Sequence, residues 1–140
     1  MISLRSTADG RSDEIDDHTH YVLGGDHVGI AIAEQLQADG HHVTVVGESY
    51  EPNDIPRFAG DPSTLDVLTE SGLRDASTVI VANRSDRRNL LVAQLVRTHF
   101  DVPRVVVLVN DPDRTALFAE AGHEPFCVTT ILSAAVGEAV

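Results

Sequence analysis

Five short runs of apolar and β-branched residues, at 21–23, 43–46, 79–82, 105–109 and 126–128, limit the fold more than any other feature. They lack the sustained polar–apolar alternation of a strand with one wet face. Continuous apolar character is what a parallel strand needs when helices cover both its faces. The segments between the runs carry helix punctuation. Asp61-Pro62 and Asp111-Pro112 each read as an N-cap followed by proline at the first helical position. Ser85 reads as the cap of a helix beginning near Asp86, and Gly72 and Gly122 stand where a left-handed residue ends a helix. Strand and helix therefore alternate. This predicts an α/β fold, a Rossmann-like doubly wound parallel sheet of strand order 3-2-1-4-5-6 with right-handed crossovers. Ligands of such sheets lie outside the carboxyl ends of the strands.

One unit is abnormal. The third strand, Arg57-Phe58-Ala59, follows the second too closely for a full crossover helix, and Glu51-Pro52-Asn53-Asp54-Ile55-Pro56 carries two prolines. Little more than one helical turn fits there. The first unit is more telling. Tyr21-Val22-Leu23 runs into Gly24-Gly25-Asp26-His27-Val28-Gly29, and a small-residue amphipathic helix follows through Ile30, Ala31, Ala33 and Leu36. A strand that feeds a helix through a glycine turn presents N-terminal N–H groups able to hold a phosphate. In the spacing Gly-x-Gly-x-x-Gly, however, Asp26 stands at the middle glycine.

Length and composition exclude several classes. A chain of 140 residues forms one domain with a proper core. Residues 1–18 read as a disordered acidic tail that buries too little to offset ordering entropy, and 19–140 as the domain. The 22 Asp and Glu outnumber 10 basic residues, all of them Arg, for a net charge of −12. That balance speaks against nucleic acid and against direct contact with anionic membranes. It fits a general solubility adaptation of the kind halophiles use. Without lysine there is no Schiff base and no P-loop lysine. The single Cys127 allows no intrachain disulfide and reads as a small buried hydrophobe. His18-Thr19-His20 reads as tail merging into the first strand, and His41-His42 as a turn at the far end of the sheet. No apolar stretch reaches membrane length and no signal peptide is visible, so a cytoplasmic protein is expected.

Later segments add specificity. Gly60-Asp61-Pro62-Ser63, Leu68-Thr69-Glu70-Ser71-Gly72-Leu73, Asp75-Ala76-Ser77 before the fourth strand, and Ser85-Asp86-Arg87-Arg88-Asn89-Leu90 after it stand in order. With Val107-Leu108-Val109-Asn110-Asp111-Pro112 and Phe118 through Gly122, they resemble the nucleotide-binding N-terminal domain of potassium-uptake regulators, called TrkA-N, KTN or RCK-N. The resemblance implies a non-enzymatic regulatory module that senses NAD(H) or an adenine nucleotide (ATP, ADP or AMP). It would pass the binding event to the membrane subunit of a potassium transporter or channel through differential affinity for two conformations. It also implies a homodimer, for which the helix at 89–96, apolar nearly all round, offers a face. The chain ends within a helix starting near Thr130. The family's C-terminal sensing domain would then come from a partner, or this is a stand-alone or truncated piece.

The ligand residues implied are the turn Gly24, Gly25, Asp26, His27, Val28 and Gly29, then Glu48, Asp61, Ala82, Asn83, Arg84, Asp86 and Asn89. Three departures bear on them. Asp26 replaces the glycine whose missing side chain lets backbone approach a pyrophosphate, and its carboxylate is read either as an ordinary N-cap or as filling the anion site itself. The acidic residue expected at the end of the second strand falls at Gly47, with Glu48 one place late and aimed elsewhere by strand alternation. Leu108 stands where the family often carries Arg. Arg84 is read as the one cation near the phosphates, while Arg87 and Arg88 could equally be solvated helix residues. Two other classes remain open: an NAD(P)-dependent oxidoreductase, for which no acid–base pair is visible, and a degenerate dimerisation scaffold without ligand.

Overall fold

The apolar runs become the middle of a six-stranded parallel sheet in the computed structural model, which describes residues 19–48 and 54–140. The tail at 1–18 and the first half of the proline-bearing segment lie outside the described residues. The elements are β1 (Thr19–Leu23), α1 (His27–Ala38), β2 (His42–Gly47), β3 (Arg57–Ala59), α2 (Leu65–Glu70) and β4 (Thr78–Val81). They continue with α3 (Asp86–His99), β5 (Arg104–Val109), α4 (Thr115–Glu120), β6 (Glu124–Cys127) and α5 (Val128–Ala139). Short 3-10 turns at Leu73–Asp75 and Pro112–Arg114 lead into β4 and α4. The strand order is β3-β2-β1-β4-β5-β6, as the sequence pattern predicts.

Alternate residues of each strand feed opposite cores. Val22 pairs in register with Val45 and Ile80, and these pack with Ile30 and Ala33 of α1 on one face. Tyr21, Leu23, Val79, Val81 and Val107 point to the other face, where Leu68, Val92, Val96 and Phe118 of α2, α3 and α4 cover them. Leu23, Leu68, Val92 and Phe118 are fully buried, each worth roughly 1.5–3 kcal/mol relative to exposure. Between β2 and β3 the described residues hold no helix. Ile55, 6% exposed, reaches the α1 face and packs beside Val22 and Val45. The described part of the second unit thus keeps a core contact.

Several boundaries differ from expectation. Asp61 is not the N-cap of α2, which starts at Leu65 after Thr64. Its carboxylate instead accepts from the N–H of Ser63 at 2.9 Å and from the Ser63 hydroxyl at 2.7 Å. That local turn satisfies the oxygen two residues on and delays the helix. The last strand is shifted: Glu124–Cys127 pairs with β5, while Val128 opens α5. Pro125 is tolerated because β6 is an edge strand. Cys127 is half-buried rather than core, and the hydroxyl and N–H of Thr130 hold its thiol below the usual range. His20 lies within β1, its ring 4.6 Å from that of His41, and His42 opens β2. Other signals stand as read. Ser85 accepts from the N–H of Arg88, Asp111 from that of Asp113, and Gly72 and Gly122 have positive φ.

Candidate functional site

The carboxyl ends of β1, β2 and β4 meet at the point where strand order reverses, and there the chain leaves a cleft of about 470 Å³. Its floor is the glycine turn. Gly24, at φ 129°, donates its N–H to the carbonyl of Val46 at 2.9 Å. A Cβ on Gly24 would stand 2.6 Å from the carbonyl oxygen of Ala82, and one on Gly29 would stand 1.8 Å from that of Gly24. Those two glycines let the turn fold onto β4 and bring α1 against it. Gly47 is equally constrained, since a Cβ there would lie 2.6 Å from the backbone nitrogen of Gly25. Any side chain here, where the acidic residue is expected, would press on the turn.

Asp26 needs no special backbone, with φ −84° and ψ −169°. It is the N-cap of α1: Oδ1 accepts from the N–H of Gly29 at 3.3 Å. Oδ2 lies 3.5 Å from Nε of Arg84, whose side chain is 78% exposed. The carboxylate thus sits at the positive end of the helix with a cation beside it.

The opposite wall corrects two expectations. Glu48 lines the cleft, and its Oε1 lies 3.4 Å from Nη2 of Arg88. Strand alternation ends with β2 at Gly47, so it does not govern Glu48. Arg88 is no solvated helix residue. It lines the cleft and donates from Nη2 to Asp61 at 2.6 Å, bridging α3 to the loops after β2 and β3. The Ser63 donors, then Arg88, hold the Asp61 carboxyl below its usual value. Arg84 is therefore joined by a second cation. The signal for it was position: Arg88 is three residues past the Ser85 cap, in the first turn of a helix that starts at the cleft.

Two buried donors in this wall, Nδ2 of Asn83 and Nε of Arg88, have no hydrogen-bond partner. Asp86 and Asn89 have a different position. Asp86, 7% exposed, accepts from the N–H groups of Asn110 and Asp111 at 2.7 and 2.9 Å. Asn89, fully buried, accepts from the N–H of Asn83 and donates to the carbonyls of Asn83 and Leu108, each at 2.9 Å. Both tie the exits of β4 and β5 together, and neither lines the cleft. Ala82, buried, bonds to Leu23, while His27 and Val28 are exposed on α1 away from the cleft lining. Leu108 is half-buried on the α1 face of the sheet.

A turn, cleft and sheet of this kind recur in known proteins. The family model for the TrkA-N domain matches residues 21–129. The chain belongs to the TrkA-N domain family. The Trk system potassium uptake protein TrkA of Mycobacterium tuberculosis (strain CDC 1551 / Oshkosh) is 32% identical over 127 residues, covering 85% of this chain and 58% of that protein. The TrkA homolog of Methanothermobacter thermautotrophicus is 30% identical over 108 residues, covering 72% and 50%. The chain thus spans little more than half the length of these relatives. Among solved structures, the NAD(P)-binding domain of an exopolyphosphatase-related protein from Archaeoglobus fulgidus superposes with a TM-score of 0.75 at 24% identity, covering 85% of this chain and 94% of that one. The Shewanella denitrificans Kef C-terminal domain in its AMP-bound form gives 0.71 at 19%, covering 82% and 75%. GsuK bound to ADP gives 0.72 at 22%, covering 80% and 30%, and the GsuK channel bound to NAD gives 0.69 at 24%, covering 82% and 22%. At these identities the likeness establishes the fold. Within the described residues of this TrkA-N domain, no helix is long and apolar enough to cross a membrane.

Proposed function

We propose that this TrkA-N domain is a regulatory, non-enzymatic module that binds a nucleotide in the Gly24–Arg88 cleft and reports it to the membrane subunit of a potassium transport system. The observation that carries the reading is the glycine turn of Gly24–Gly29 at the reversal of strand order, flooring a cleft that Glu48, Asn83 and Arg88 also line. Support comes from relatives named as Trk potassium uptake proteins and from similar folds solved with AMP, ADP and NAD. Glu48, Pro62, Asn83 and Arg88 line the space the nucleotide would occupy. In this reading the ligand acts by stabilising one conformation. The domain works as a homodimer in contact with its transporter from the cytoplasmic side.

Calorimetric titration with NAD, NADH, ATP, ADP and AMP in high KCl tests the reading. Saturable binding of at least one is expected. If none binds, the degenerate dimerisation scaffold replaces it, a reading favoured by the carboxylate of Asp26 at the anion end. Turnover of nicotinamide absorbance with small alcohols or acids would instead restore the oxidoreductase.

A further inference from the structure

We infer that His123 is a proton-operated latch: once protonated, its imidazole leaves the corner between α3 and α4 and frees the edge strand β6, with α5 behind it. The residue stands between α4 and β6 and is 5% exposed. His123 and Gly122 donate their N–H groups to the carbonyls of Phe118 and Ala119 at 3.1 and 3.0 Å, closing the end of α4. The imidazole lies 6.5 Å from the ring of Phe118. Neither of its nitrogens has a hydrogen-bond partner among the described residues, and both are shielded from solvent. A neutral imidazole can stay in such a place. An imidazolium there is a buried charge whose N–H donors have no acceptor, which a fold relieves by expelling the group.

The charges around the corner give no relief. From α3, Arg97 lies over Gly122, with Nη2 only 3.1 Å from where a Cβ on that glycine would stand, and it repels a second cation. Glu124, the next residue of β6, is committed to Arg104 of β5 through bonds of 2.8 and 2.6 Å. His99 and Glu120, at the ends of α3 and α4, and Asp101, in the loop before β5, are exposed. Burial first, then Arg97, holds the imidazole below its usual range. Above about pH 6.5 the closed and open forms are both neutral and the latch holds fully. Below it the open form takes up a proton that the closed form refuses, so opening becomes easier as pH falls. The element that yields is β6. It has four residues, pairs on one side only, with β5, and its Pro125 brings no N–H to that pairing. Such an edge opens locally at less cost than the central strands.

The test follows amide hydrogen exchange of the 140-residue chain at about one pH unit above and one below the usual imidazole value, corrected for intrinsic rates. His123→Leu and Arg97→Gln run alongside. In the wild type, β6 and the corner before it should open up to about tenfold more often at the lower pH, with β4 within about twofold. His123→Leu should abolish the difference, and Arg97→Gln should reduce it by returning the imidazole toward its usual value. The His123 ring, followed by NMR in the wild type, should titrate together with the loss of β6 protection; this readout needs no variant to fold. Equal protection of β6 at both pH values overturns the latch. So does a loss spread evenly over all strands, or one confined to β1 and β2, where His20 and His41 titrate instead. A pH response that survives in His123→Leu, or a His123 ring that takes its proton while β6 stays closed, overturns it too.

Discussion

Gly47 carries the sharpest physical constraint at the scale of single residues. Its absent Cβ leaves room for Gly25, whose backbone nitrogen would otherwise be only 2.6 Å away. Backbone cannot yield as the end of a flexible side chain can. Gly47→Asp, which restores the acidic residue typical of dinucleotide folds, should therefore destabilise the domain by about 1–3 kcal/mol through overpacking. Thermal unfolding followed by circular dichroism checks this, and an unchanged midpoint would mean that the turn shifts freely. The sequence revealed that the acid is missing and could not reveal why. The reason lies in the approach of two loops far apart in the chain. The same limit applies to Arg88, whose place in the cleft depends on Asp61 and Glu48 arriving from two other loops. Asp26 was different: a short polar residue before a helix is legible as a cap from its neighbours alone, and the structure shows that cap.

At the scale of elements, the strands were legible because burial on both faces writes itself into consecutive residues. Helices were less so. The helix at 89–96 reads as apolar nearly all round, yet within α3 one side takes Val92, Ala93 and Val96 into the core while Leu91 stays 51% exposed. The larger exposed apolar face is on α5, which has no buried residue and leaves Ile131, Leu132 and Val136 at 49%, 58% and 62% exposure. A helix of its 12 residues is marginal in water unless something packs against it. If the proposed homodimer covers α5, Leu132→Glu should convert a dimer to a monomer in sedimentation. Domain stability should change by less than about 0.5 kcal/mol, since the side chain touches no core. A dimer of unchanged mass would move the interface to α3 and Leu91.

For the whole molecule, the deciding quantity is the excess of acid, 22 carboxylate residues against 10 arginines. Two electrostatic effects then compete as salt rises. Screening weakens the ion pairs, among them Arg104–Glu124 at 2.6 Å and Arg88–Asp61 at 2.6 Å. Those pairs are exposed or half-exposed, and such contacts contribute only about 0–1 kcal/mol each. Screening also weakens repulsion among the remaining carboxylates, which self-repel in a chain of net charge −12. With twice as many acids as bases, most carboxylates have no arginine to lose, so the second effect wins. Raising KCl from about 0.1 M to about 1 M shortens the screening length from about 10 Å to about 3 Å. The unfolding midpoint should rise by roughly 3–4 °C for each kcal/mol of repulsion removed. A midpoint that falls in KCl would mean that the ion pairs outweigh the repulsion. Repeating the scan in KCl with Asp26→Ser separates the cleft from the rest of the surface. Removing one carboxylate among so many should leave the slope against salt nearly unchanged, because the repulsion belongs to the surface as a whole and not to the ligand site.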